Sequence, residues 1–241
     1  TESDNLAVLG TALGRAADGK HVVSVCTEHK AILDSLSALE ERGWRVTRLP
    51  VGADGAVSMD RLEASLSNDT TLVSVMLSNN EVGVVQDLGA VAALTEPRGI
   101  TLHCDAAQGL GYLPLSVQEL PVDLVSMSAH KMYGPKGVGA LYVRRSLQAR
   151  GLPKPQMHGG GHQSGFRSGT LDVPGIVGMG VAAELMRKHG ADEGVRLTGL
   201  RDDLEAQLLE RLDEVRVNGS TSRRHPGNSN LSFGYVDGAA L

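Results

Sequence analysis

The sequence predicts an α/β fold, a mostly parallel sheet with helices on both faces, followed by part of a small α+β domain. Three observations point there. Short apolar, β-branched runs alternate with amphipathic segments from residue 1 to about residue 145. Only seven residues are aromatic (one Trp, four Tyr, two Phe), so the core must be packed from Leu, Val and Ala, which suits a parallel sheet under helices. Length is the third: 241 residues make one large domain plus a piece of another.

Taken in order, the chain opens with a helix start at Thr1-Glu2-Ser3-Asp4-Asn5 and helical apolar spacing over 6–17. Residues 21–26 (HVVSVC) read as a strand. Residues 30–42 are an amphipathic helix with Ile32, Leu33, Leu36 and Leu39 on one stripe, closed by Gly43. Strands follow over 44–51, 71–77, 100–104, 124–128 and 137–143, with helices over 59–66 and 88–95. A Gly- and Ala-rich helix is expected over 172–188 and a separate, more charged one over 195–213. That change in charge places a domain boundary near residue 190, dividing the chain into 1–190 and 191–241. Strands over 215–218 and 231–235 belong to the second unit. The chain lacks an initiator Met, and residues 239–241 begin an apolar element and stop, so both ends are expected to be cut.

Composition narrows the function. With 23 Lys+Arg against 28 Asp+Glu, the net charge is −5, which argues against a nucleic-acid surface. Two Cys rule out a disulfide framework and a four-Cys zinc site. No apolar run reaches 18 residues and no signal peptide is present, so a soluble, cytoplasmic protein without membrane contact is expected. There is no CxxC, Walker loop or GxGxxG after a strand.

Ligands of open α/β sheets sit at the carboxyl ends of strands. Four such ends finish in polar groups: Thr27-Glu28-His29, Ser78-Asn79-Asn80-Glu81, Asp105 with Gln108, and Ser128-Ala129-His130-Lys131. Lys131 ends a hydrophobic strand. Partly desolvated at a pocket floor, it would favour the neutral amine and form a Schiff base with an aldehyde cofactor; taken alone it reads first as a solvated loop lysine. Asp105 is placed to pair with a pyridinium nitrogen, or to cap a helix. Gln108 could donate to a phenolate oxygen or support Asp105 as a capping box. His29 could stack on a planar ring and shuttle protons, or start a helix. Asn80 offers a donor and an acceptor, or is a turn residue. Phosphate has three candidate cradles: the helix start at Thr1, the pair Ser128 and His130 on one side of an extended backbone, and Arg167-Ser168-Gly169-Thr170 after the glycine run 159–161. Cys26 and Cys104 are expected as small core residues, Cys104 facing away from Asp105.

These blocks together resemble the cysteine desulfurases of the NifS/IscS class, within the class V aminotransferase family. They are Thr1-Glu2-Ser3-Asp4-Asn5-Leu6-Ala7, Thr27-Glu28-His29-Lys30-Ala31, Asn79-Asn80-Glu81-Val82-Gly83, the HxDAxQ block at 103–108 and the SxHKxYGPKG block at 128–137. Residues 159–162, 167–170 and 230–233 also match, and the resemblance is collinear over essentially the whole chain. The resemblance implies a pyridoxal-phosphate enzyme of fold type I, residues 1–190 being its cofactor-binding large domain. Lys131 would hold the cofactor, Asp105 pair with its ring nitrogen, His29 stack and act as acid and base, Gln108 bond the ring oxygen and Asn80 orient ring or substrate. Thr1, Ser128 and His130 would hold the phosphate, and Thr170 that of the partner subunit, making the active unit a homodimer. The implied reaction converts L-cysteine to L-alanine and passes sulfur as persulfide to an acceptor protein, for iron–sulfur assembly, tRNA thiolation or a specialised biosynthesis. The family's catalytic Cys loop and carboxylate-binding Arg would lie beyond Leu241, so this chain alone is expected to be inactive. Selenocysteine lyase, aminotransferase and a non-catalytic cofactor-binding or dimerisation remnant are the alternatives.

Overall fold

The alternation of strand and helix resolves, in a computed structural model describing residues 1–238, into a six-stranded sheet covered on both faces. The apolar start expected at 239–241 lies outside the described residues. The strands are β1 (His21–Val25), β2 (Arg45–Leu49), β3 (Thr70–Ser74), β4 (Thr101–Asp105), β5 (Leu124–Ser128) and β6 (Gly139–Val143), in the order β2-β1-β3-β4-β5-β6. All neighbours are parallel except β6, which runs antiparallel to β5. The chain steps from β1 outward to β2, then returns to lay β3 on the other side of β1. The winding therefore reverses between β1 and β3, and the loops leaving their carboxyl ends diverge there and open a crevice.

Side-chain alternation divides the core. Val23, Val25, Val73, Leu102 and Cys104 face one side, against Leu62 of α3 (Met59–Ser65) and Val91 of α4 (Leu88–Thr95). Val22 and Leu72 face the other, against Val8 of α1 (Glu2–Gly14) and Ile32, Leu36 and Leu39 of α2 (Lys30–Glu40). The stripe expected on α2 is the buried one, with Leu33 at its margin, and Gly43 (φ +80°) takes the left-handed conformation as the chain turns into β2.

Two helices were expected after residue 170, and one is found. After the short α5 (Arg145–Ala149), α6 runs unbroken from Val173 to Arg211. At 39 residues it is about 58 Å long. At Gly190 the helix meets a loop backbone. A Cβ on Gly190 would lie 2.0 Å from the Gly111 carbonyl oxygen, so the helix interior carries Gly where a loop backbone presses on it. Beyond α6, β7 (Val215–Val217) and β8 (Leu231–Phe233) form a separate antiparallel pair. Among the described residues, no helix is long and apolar enough to cross a membrane.

Candidate functional site

The carboxyl ends of β4 and β5, the antiparallel β6 and the start of α1 line a cavity of about 700 Å3. Its walls include Thr1, Glu2 and Asp4 from α1, Asp105 from β4, Ser126 and Ser128 from β5, and Arg167 from the segment before α6. Of the nine residues singled out from sequence, Thr1, Asp105 and Ser128 line it. The other six do not line it. His29, Asn80 and Gln108 follow β1, β3 and β4, His130 and Lys131 follow β5, and Thr170 precedes α6.

Asp105 is 4% exposed, and its Oδ1 accepts from the Ala107 amide at 2.9 Å. It therefore closes a turn, not a helix, because 106–113 carries no helix to cap. Burial pushes its carboxyl up to about 6; the negative charge of Asp4 adds to this, and the Ala107 amide opposes it. Strand alternation sends Cys104 to the far side, into the core, where burial raises its thiol well above the ordinary range. Cys26, expected in the core too, is exposed: β1 ends at Val25, so Cys26 is already in the loop.

The chain leaves β5 in a single 3-10 turn, Ala129–Met132. Ser128 and His130 were expected side by side on extended backbone. Their side chains do meet, Oγ to Nδ1 at 2.9 Å, but across this turn. Lys131 lies on the same turn and is exposed, so the desolvation expected for it is not found: the 3-10 turn lifts it off the strand end.

His29 caps α2. Its Nδ1 accepts from the Ala31 amide at 3.2 Å, which leaves Nε2 as the proton-bearing nitrogen. Asn80 is exposed at a turn that its neighbour builds. Asn79 donates from Nδ2 to the Thr27 carbonyl at 2.9 Å and accepts at Oδ1 from the amides of Glu81 and Val82. Segment 223–230 holds that turn from outside. The His225 amide donates to the Gly83 carbonyl at 2.7 Å, and the side-chain amides of Asn228 and Asn230 both donate to the Glu81 carbonyl at 3.1 Å. Thr1 precedes α1 without a side-chain cap bond, so its hydroxyl is uncommitted by the helix. Arg167 reaches across the mouth and donates from Nε to Glu2 Oε1 at 2.6 Å.

Sequence reasoning passed over the buried ionisable groups behind Asp105. His103, two residues earlier on β4, is fully buried between the hydroxyls of Ser74 (2.9 Å) and Ser126 (3.0 Å), and burial lowers its pKa to about 4. Asp4 Oδ1 lies 3.9 Å from His103 Nε2 and has no hydrogen-bond partner. Glu28 Oε1 accepts from the Met76 amide at 2.7 Å while Oε2 has none, and burial raises its carboxyl well above the ordinary range. The available signals were period: His103 shares a strand face with Asp105, and Asp4 lies one turn into a helix packed on that face.

These residues fit pyridoxal phosphate. A buried carboxylate and an unpartnered acid oxygen suit a cationic ring nitrogen, and the start of a 13-residue helix suits a phosphate. Comparison with known proteins agrees. The sequence matches the aminotransferase class-V family over residues 1–241. It is 55% identical to cysteine desulfurase IscS of Anaeromyxobacter sp. (strain Fw109-5), over 100% of this chain and 59% of that protein. Among solved structures, a NifS-like protein superposes with a TM-score of 0.93 at 34% identity, covering 99% of this chain and 64% of its own. DndA from Streptomyces lividans gives 0.90 at 39%, covering 99% and 67%. SspA in complex with cysteine gives 0.72 at 39%, covering 76% and 52%. The chain thus spans about three fifths of the length of the curated relatives it matches.

Proposed function

The chain belongs to the aminotransferase class-V family, whose cysteine desulfurase members depend on pyridoxal phosphate, and from that premise we propose that it is the cofactor-holding part of a cysteine desulfurase. The reaction consumes L-cysteine and a protein thiol and yields L-alanine and a protein persulfide, so the substrate C–S bond breaks and an S–S bond forms. When bound, pyridoxal phosphate supplies the electron sink that makes this cleavage feasible.

The residues of this chain divide the work. Lys131 carries the cofactor on its ε-amine, and Asp105 holds the ring nitrogen. His29, its proton on Nε2, exchanges protons with the substrate, while Gln108 and Asn80 orient the ring oxygen and the substrate. Thr1, Ser128, His130 and the α1 amides hold the phosphate, and Thr170 serves the partner subunit of a homodimer. Residues 1–190 form the cofactor unit and 191–241 part of a smaller one, a division supported by the separate β7-β8 pair. A sulfur-acceptor protein of a scaffold or tRNA-thiolation type receives the persulfide, in the cytoplasm.

One observation carries the reading: a buried carboxylate, Asp105, lines a cavity together with Thr1 and Ser128 in a chain 55% identical to a desulfurase. The test is reconstitution with pyridoxal phosphate, borohydride reduction and peptide mass spectrometry. The expected result is one pyridoxyl group on Lys131, absent in Lys131→Ala. Label elsewhere, or none, overturns it.

A further inference from the structure

The nine residues of the proposed site leave the most unusual feature of the cavity unused. Asp4 is 3% exposed and lines the cavity, yet its Oδ1 has no hydrogen-bond partner. A buried carboxylate oxygen left without a hydrogen bond is costly and marks a place where a partner is expected. Every side-chain group facing it is neutral, negative or engaged. From β4 come His103, 3.9 Å away and held neutral between two serines, and Asp105. From β5 comes Ser126, whose hydroxyl is on His103. Glu28, after β1, is a buried acid whose carboxyl burial raises well above its ordinary range. Within α1, Glu2 is engaged by Arg167, and Asp4 Oδ2 faces the Thr1 amino nitrogen at 3.5 Å. A side-chain cation for Oδ1 is lacking among the described residues, and no three His, Cys, Asp or Glu groups there are arranged around a metal ion.

We propose that Asp4 is a positioning residue for the ring-nitrogen site: its carboxylate, packed behind Asp105 and His103, supplies a second negative charge that keeps a bound pyridine nitrogen protonated against Asp105. The inference rests on the cofactor reading above and adds a residue to it. Asp105 alone would face the ring as an acid whose own burial favours its protonated form. The Asp4 charge in the same low-dielectric wall favours uptake of one proton by the pair that the ring nitrogen forms with Asp105, the same effect that raises the Asp105 carboxyl in the empty site.

The test compares pyridoxal phosphate with its deaza analogue, which has carbon in place of the ring nitrogen, on the full chain. Wild type is expected to prefer pyridoxal phosphate, and Asp4→Asn to weaken its binding about tenfold while changing the analogue's less than about twofold. Asp4→Glu, which restores the charge, is expected to recover most of the preference; far-UV circular dichroism verifies that each variant is folded. Equal weakening for both compounds reports a merely structural role and overturns the proposal, as does an Asp4→Asn variant that binds both like wild type, or an Asp4→Glu variant no better than Asp4→Asn. Failure of the wild type to take up pyridoxal phosphate on Lys131 is a different result: it overturns the cofactor reading and this inference with it.

Discussion

Replacing Asp105 by Asn should make the cofactor-free protein more stable at neutral pH, although it removes the residue proposed to grip the cofactor. The folded chain holds the Asp105 proton to about pH 6, against an ordinary value of 3.8. The difference of about 2 pH units is worth about 3 kcal/mol at about 1.4 kcal/mol per unit. Its sign follows from which state binds the proton more tightly. Below about pH 4 both states are protonated and the group costs nothing. Between about 4 and 6 the unfolded chain ionises first, so stability falls as pH rises; above 6 the full cost persists. Asn keeps an Oδ1 acceptor for the Ala107 amide at the same place, without the charge. The advantage of Asp105→Asn is therefore about 3 kcal/mol at pH 7.5 and shrinks to about 1 kcal/mol at pH 4.5. In urea unfolding that raises the midpoint at pH 7.5 by about 1 M. The neutral, buried His103 contributes the opposite slope, losing stability as pH falls from about 6.5 to about 4, but it is present in both proteins and cancels in their difference. A variant no more stable than wild type at pH 7.5, or an advantage that does not shrink at pH 4.5, refutes the reasoning.

Two further outcomes test the frame around the site. Gly190→Ala improves helix propensity by about 1 kcal/mol, yet its Cβ would meet the Gly111 carbonyl oxygen at 2.0 Å; the expected net result is destabilisation of about 1–3 kcal/mol, read as a lowered thermal midpoint. A raised midpoint would show that α6 does not press on the 109–112 turn. Arg224→Met leaves Glu205 without its buried partner at 2.7 Å and should cost about 3–5 kcal/mol, with faster hydrogen exchange in β7, β8 and the 79–85 turn. Unchanged exchange in that turn would separate it from segment 223–230.

Local pattern was enough for the sheet. Period-2 alternation in residues 21–25 and 101–105 already assigns Val22 and Val23, or Cys104 and Asp105, to opposite faces, because a strand offers each side chain only two directions. The stripe on 30–40 likewise names the buried face of α2. The clustering of polar residues at strand ends placed the candidate site, since parallel strands deliver all their carboxyl ends to one edge. What local pattern misjudged was decided by contacts between distant segments. The change in charge near residue 190 reads as a gap between two helices, yet one helix runs through it with Gly190 against the Gly111 backbone. Cys26 reads as core until the strand stops one residue short. Ser128 and His130 meet because the chain tightens after β5, which their spacing alone does not encode. Asp4 belongs to an unremarkable helix start in the sequence. Only the packing of α1 on the β4 face buries it beside His103 and Asp105, because solvation, unlike periodicity, depends on what the rest of the chain brings close.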